Sequence, residues 1–259
     1  HPALCYTETS GVNTVLLDSV HDLDAVARSL ATTMQLFSAQ MCTSPQNIYL
    51  PRGGIDAGGR RASVDEVCTA LATAFRSVTA EPRRAASILA TIQSPGTLDL
   101  IGTMRDAARQ HGTIVVDSGP YEHPEYPAAR TATPLLLRVG TEARDLYREE
   151  RFGPIGFVIE TDDADHALRS ATDDVRAAGG ITAFAYSTRD DYLAAAESAY
   201  AAAGAQLTCN LTGAMPLNFA ASYSDYHVTG LNPAGNATLT DAAFVAARFR
   251  IAQSRRPVA

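Results

Sequence analysis

The sequence predicts an α/β fold, a three-layer α/β/α sandwich around a mostly parallel sheet. Three observations predict it. Apolar residues switch repeatedly between a strand-like and a helix-like repeat. Helical stretches long enough to be crossovers separate successive strands in the second half, and parallel pairing requires such crossovers. The chain has 259 residues, 46% hydrophobic and 19% charged, enough to bury both faces of a sheet.

The elements follow in order. Leu4–Glu8 and Asn13–Leu17 read as short strands. A helix of about 17 residues is expected from Asp22, with Leu23, Val26, Leu30, Met34 and Phe37 near helical spacing. Asn47–Leu50 reads as a buried strand, ended by Pro51 and a loose loop through Gly53-Gly54 and Gly58-Gly59. Ser63-Val64-Asp65-Glu66 is a capping box that should start a helix reaching Val78. A second helix follows Pro82, and a third runs from Thr97 to His111, where Gly112 stops it before a strand at Thr113–Asp117. Tyr121 to Pro134 is proline-rich and aperiodic, hence a surface connection. Strands are then expected near Pro134–Val139, Gly156–Glu160, Ile181–Tyr186 and Gln206–Asn210, with helices at Asp163–Ala178 and Arg189–Ala203. Beyond Asn210 the chain turns irregular, then gives a helix near Thr240–Arg248, an apolar stretch Phe249–Ala252 and a basic tail.

Composition removes several functions. The 21 basic residues are all arginine and are outnumbered by 28 acidic ones, for a net charge of −7. No basic stripe is present to hold a polyphosphate, so nucleic acid is not expected as a partner. Without lysine, Schiff-base chemistry is excluded. No apolar run has membrane-spanning length, and the start shows no signal-peptide pattern, so no membrane partner is expected. The opening His1-Pro2-Ala3, without methionine, reads as the start of an excised piece. Cysteines 5, 42, 68 and 209 show no CxxC, which suggests neither a disulfide framework nor a zinc ribbon and favours the reducing cytoplasm. The six histidines show no metal-ligand spacing, and no metal site is expected.

Cys42 stands between a helix and a strand, where a thiol can face a cleft, as a nucleophile must. Cys68 on the apolar side of a helix and Cys209 in a strand read as structural, and Cys5 gives no signal.

Ala39-Gln40-Met41-Cys42, followed by Thr43, resembles the Gly-Gln-x-Cys catalytic signature of the aldehyde dehydrogenase superfamily. Upstream, Glu8-Thr9-Ser10-Gly11-Val12-Asn13 is similar to that family's Glu-Leu-Gly-Gly-Lys motif, at the separation the family uses between general base and nucleophile. Downstream, Glu149-Glu150-Arg151-Phe152-Gly153-Pro154 matches its Glu-Glu-x-Phe-Gly-Pro segment, and Gln206–Asn210 takes the place of its late Val-Asn strand. The tail resembles the phenylacetate-degradation branch of the family.

The resemblance implies that Cys42 is the nucleophile that forms a thioester and that Glu8 is the base that activates water. Glu150 would hold the nicotinamide ribose of NAD or NADP, and Phe152 would pack near the ring. Asn210, Phe219, Tyr223 and Tyr226 are weaker candidates for the aldehyde site. Three departures are notable: Ala39 replaces glycine, Thr9-Ser10 replaces Gly-Gly, and no G-x-G occurs.

The resemblance also implies that residues 1–14 are a hinge strand and remnant of a cofactor domain, 15–235 the catalytic domain, and 236–259 a C-terminal helix with a possible oligomerisation strand. Expected partners are thus an aldehyde, an N-terminal cofactor domain of the same polypeptide, and a second copy in a homodimer or higher assembly. The chain alone is expected to hold no cofactor tightly and to be nearly inactive. Two rival readings are a CoA-acylating aldehyde dehydrogenase, disfavoured because such relatives lack the base glutamate, and a non-catalytic scaffold in which Cys42 is structural.

Overall fold

A computed structural model describes residues 10–213 and 254–257. The central sheet holds β1 (Asn13–Leu17), β3 (Pro45–Pro51), β6 (Gly112–Val116), β7 (Leu135–Gly140), β8 (Ile155–Thr161), β9 (Thr182–Tyr186), β10 (Gln206–Cys209) and β11 (Ser254–Arg255), in the order β11-β10-β9-β1-β3-β8-β7-β6. All neighbours pair parallel except β6 with β7 at one edge.

Side chains alternate between the two faces of the sheet and are buried on both. Val15, Leu17, Ile48, Leu50, Val158, Phe184 and Tyr186 pack under α1 (Leu23–Thr33) and α2 (Val64–Thr79). Leu16, Tyr49, Phe157, Ile159, Ala183 and Ala185 pack under α4 (Pro95–His111), α6 (Ala164–Ala178) and α7 (Asp190–Ala203). The result is the expected three-layer sandwich, with apolar runs instead of apolar–polar alternation because neither face meets water.

The winding explains which helix lies on which face. From β1 the chain moves one way to β3 through α1, and from β9 it moves the other way to β10 through α7. Right-handed crossovers in opposite directions must lie on opposite faces. Two short helices complete the set, α3 (Pro82–Ile88) and α5 (Arg144–Tyr147). No described helix is long and apolar enough to cross a membrane.

The structure differs from the sequence reading in two places. The helix expected from Asp22 to beyond Phe37 stops at Thr33, with Met34 as its C-cap. Met34 keeps its place in the apolar stripe: a Cβ on Gly156 at the start of β8 would come within 2.7 Å of its Cε. The next turn leaves the helix, and Phe37 is 51% exposed. The loop through Gly53–Gly59 is a small sheet, β2 (Ser19–Val20), β4 (Ile55–Ala57) and β5 (Arg60–Ala62). Gly58 and Gly59 both take positive φ (65° and 82°), as a tight two-residue hairpin turn demands. The expected strand Leu4–Glu8, the helix near Thr240–Arg248 and the stretch Phe249–Ala252 lie outside the described residues.

The capping box forms as expected. Ser63 Oγ accepts from Glu66 N at 3.2 Å, and Ser63 N donates to Glu66 Oε2 at 2.8 Å. Ser63→Ala should cost about 1 kcal/mol of stability through loss of the cap. A urea-unfolding midpoint unchanged from the parent protein would contradict this.

Candidate active site

Cys42 lies in the short connection between a 3₁₀ turn (Leu36–Ala39) and β3. Phe37, Ser38 and Ala39 are all left-handed, with φ of 53°, 55° and 50°. For residues bearing a Cβ this costs about 1–2 kcal/mol each, so the turn needs external support. Ser38 Oγ donates to Ala90 O at 2.7 Å. The Gln40 carboxamide donates to Thr91 O at 3.0 Å and accepts from Gln93 N at 2.9 Å, binding the loop after α3. Ala39, where the family signature has glycine, is one of these left-handed positions, so a glycine there would meet a conformational demand.

From the other side the thiol loop is held by Asn13, the first residue of β1, which is 1% exposed. Its Nδ2 donates to Cys42 O at 2.7 Å and to Ser44 O at 3.0 Å. Its Oδ1 accepts from Ile181 N at 3.0 Å and Thr182 N at 3.1 Å, at the start of β9. One carboxamide thus uses its full hydrogen-bonding capacity to join β1, β9 and the thiol loop.

Facing Cys42's loop is the segment after α5 that carries Glu150 and Phe152. The two border a small open cleft whose walls include Gly11, Met41, Ser44, Glu150 and Phe152. Phe152 is 45% exposed. Glu149 points away, 65% exposed and 3.7 Å from Arg151. Gly153 follows with φ 137°, and a Cβ there would stand 2.5 Å from Thr97 Cγ2 on α4, so this glycine is a steric requirement.

The cysteines separate by environment. Cys68 and Cys209 are buried, and burial pushes both thiols up to about 11. Cys42 is half-buried, between Met41 and Ser44, which line the cleft.

The other candidates fare differently. Asn210 lies just past the carboxyl end of β10, whereas Cys42 precedes the amino end of β3, and these strands run parallel in one sheet. Its carboxamide is engaged with the backbone of Ser187, accepting from N at 2.9 Å and donating to O at 2.8 Å. The structure therefore does not bring Asn210 to the thiol, and its carboxamide closes a local turn. Glu8, Phe219, Tyr223 and Tyr226 lie outside the described residues. Sequence reading missed Asn13 and Gln46 as site-building residues. Their signal was a polar amide at the first turn of an otherwise apolar strand.

The loop that carries Cys42 follows a constrained turn and shares a cleft with Glu150 and Phe152 at one end of a doubly wound sheet. The profile of the aldehyde dehydrogenase family matches residues 3–211, and the chain belongs to that family. Among curated relatives, it is 27% identical over 158 residues to the vanillin dehydrogenase of Corynebacterium glutamicum, covering 61% of this chain and 29% of that one. It is 27% identical over 170 residues to the N-succinylglutamate 5-semialdehyde dehydrogenase of Burkholderia thailandensis, covering 64% and 32%. Among solved structures, the NAD-dependent aldehyde dehydrogenase from Burkholderia multivorans superposes with a TM-score of 0.84 at 45% identity, over 95% of this chain and 43% of that one. An NAD-dependent benzaldehyde dehydrogenase from Corynebacterium glutamicum shares the fold with a TM-score of 0.56 at 22% identity, over 80% of this chain and 41% of that one. The chain thus spans less than half the length of each.

Two outcomes are expected. Iodoacetamide at pH 8 should label Cys42 in preference to Cys68 and Cys209, because thiols displaced to about 11 are only about one part in a thousand thiolate at that pH. Equal labelling of the three in the folded protein would contradict the assignment. Asn13→Ala should cost about 3 kcal/mol or more, since it leaves two buried amides and two carbonyls unpaired. A shift below about 1 kcal/mol in denaturant unfolding would show that the strap is dispensable.

Proposed function

We propose that this chain is the catalytic part of an NAD(P)-dependent aldehyde dehydrogenase that oxidises an aldehyde to a carboxylate through a thioester on Cys42. The observation that carries the reading is the cleft that sets the thiol loop against Glu150 and Phe152. Family membership and the NAD-dependent enzyme from Burkholderia multivorans at 45% identity support it.

The Cys42 thiolate adds to the aldehyde carbon, forming a C–S bond and a tetrahedral oxyanion. In this reading the Cys42 backbone N–H stabilises that charge. The residues present suit the nicotinamide end of the cofactor: a carboxylate accepts from paired ribose hydroxyls, and an exposed aromatic face supports a planar ring. When bound, NAD or NADP supplies the acceptor for the hydride that leaves the tetrahedral carbon. Glu8 then takes a proton from water, whose oxygen attacks the thioester, and the Cys42 thiolate departs as the carboxylic acid forms.

In this reading residues 1–14 form a hinge strand, 15–235 the catalytic domain and 236–259 a C-terminal segment that serves oligomerisation. The cofactor domain belongs to a longer polypeptide, consistent with the 43% of the Burkholderia multivorans chain that is covered. Aromatic aldehydes of phenylacetate-type catabolism are the proposed substrate class. The names of the vanillin and benzaldehyde dehydrogenases, both relatives that act on ring-bearing aldehydes by those names, favour that choice.

A longer form carrying a cofactor domain should reduce NAD or NADP with phenylacetate-type semialdehydes, and Cys42→Ala should abolish this. The 259 residues alone should be slower by at least about 10²–10³-fold, the loss expected from one missing oxyanion donor. Turnover by Cys42→Ala, or full turnover by the 259 residues alone, would overturn the corresponding part of the proposal.

A further inference from the structure

Glu150 has no long reach of its own along the chain, so its distance from the thiol is set by whatever holds its backbone. One buried side chain holds both flanks. Gln46, the second residue of β3 and 6% exposed, accepts from Arg151 N at 2.6 Å through Oε1. Its Nε2 donates to Glu149 O and Tyr147 O, each at 3.1 Å, with Asn47 Oδ1 also at 3.1 Å. The carbonyl before Glu150 and the amide after it therefore end on the same carboxamide, as they would on a neighbouring strand. Gln46 is two residues beyond Ser44, whose carbonyl is bound by Asn13. The path from Cys42 to Glu150 is consequently short: hydrogen bonds from Asn13 to the thiol loop, two residues of backbone, and the Gln46 carboxamide.

We propose that Gln46 is the positioning residue that fixes Glu150 and Phe152 relative to Cys42, so that the ribose contact and the thiol keep one spacing. The proposal rests on the reading of Glu150 and Phe152 as the nicotinamide side of the cleft. Gln46 itself touches no reacting atom in this role. Arg151 assists from the other side, its guanidinium donating to Leu146 O at 2.8 Å and to Asp145 O at 2.7 Å, which closes the loop back on α5.

Two variants separate a hydrogen-bonded strap from simple filling of space. Gln46→Met fills the site but removes every bond, whereas Gln46→Glu, once protonated, keeps an acceptor for Arg151 N and one donor for the carbonyls. Both are compared at a mildly acidic pH, where a carboxyl buried among acceptors is protonated. Amide exchange in the 259-residue protein should accelerate about tenfold at Arg151 in Gln46→Met, the effect of losing one net hydrogen bond on a local opening. The Cys42–Ser44 segment should be unchanged, and Gln46→Glu should stay within about threefold of the parent. Space filling predicts the reverse order, with methionine tolerated better than glutamate, and that order would overturn the proposal. Should Gln46→Met fail to fold, Gln46→Ser, which keeps polarity but loses reach, carries the same comparison.

The second readout is protection of Cys42 from iodoacetamide by nicotinamide mononucleotide at millimolar concentration, high enough to fill a weak site. It should slow alkylation in the parent protein and in Gln46→Glu and fail to do so in Gln46→Met. Equal protection of the parent and Gln46→Met overturns the role of Gln46 alone. Absence of protection in the parent overturns the cofactor reading and this proposal with it.

Discussion

A parallel sheet leaves backbone amides and carbonyls at the ends of its strands that the ladder does not satisfy, and burying them unpaired is costly. At the amino ends of β1 and β9 the Asn13 carboxamide meets this demand, and at the amino end of β3 the Gln46 carboxamide does the same for the segment after α5. Much of the site follows from these two side chains. Open α/β sheets usually bind ligands beyond the carboxyl ends of their strands. Here the cleft lies at the amino ends, where loops from three different crossovers have been tied to adjacent strands. The carboxyl end is occupied differently, by Asp18, Ser187, Arg189 and Asn210 bonded to one another and to the local backbone.

The tie at α5 has its own foundation. Asp174 of α6 is almost fully buried, accepts from Tyr49 of β3 at 2.5 Å, and is paired with Arg144 at the start of α5. Tyr49 in turn packs edge-on against Tyr147, whose carbonyl accepts from Gln46 Nε2 and Asn47 Nδ2. A buried carboxylate is tolerable when paired and hydrogen-bonded, and this one fixes the helix that presents the Glu150 segment. The thiol turn, by contrast, is locally unfavourable. It holds three left-handed residues in a row, and the buried Gln35 amide beside it has no hydrogen-bond partner among the described residues. Ser38, Gln40 and Asn13 offset that cost from three directions.

Most of the fold was legible in the sequence because burial on both faces writes itself as apolar runs, and helix ends write themselves as Ser63, Pro82 and Gly112. What was not legible followed from long-range partners. Nothing local to Met34–Phe37 announces that the helix must end there, because the turn is held by Ala90, Thr91 and Gln93, some fifty residues away along the chain. The Gly53–Gly59 stretch looked like a loop because strands of two or three residues carry no period. Around the thiol, Cys42, Glu150 and Phe152 were singled out by motif chemistry, and one cleft brings the neighbours of Cys42, Met41 and Ser44, together with Glu150 and Phe152. That Asn210 lies at the other end of the sheet from Cys42 was not legible, because a motif position along the chain does not reveal which end of a strand it occupies. Asn13 and Gln46 were overlooked because a buried amide is informative only once its backbone partners are known.

Gly153 pressed against Thr97 has a consequence for how this chain can drift. Thr97 is a β-branched residue in the first turn of α4, stiff about χ1 and unable to swing clear. Positions 97 and 153, far apart along the chain and neither of them chemical, therefore cannot vary independently. A gain of bulk at one must be matched at the other, or the Glu150–Phe152 wall shifts, so part of what shapes the cleft is written in a helix that never meets it.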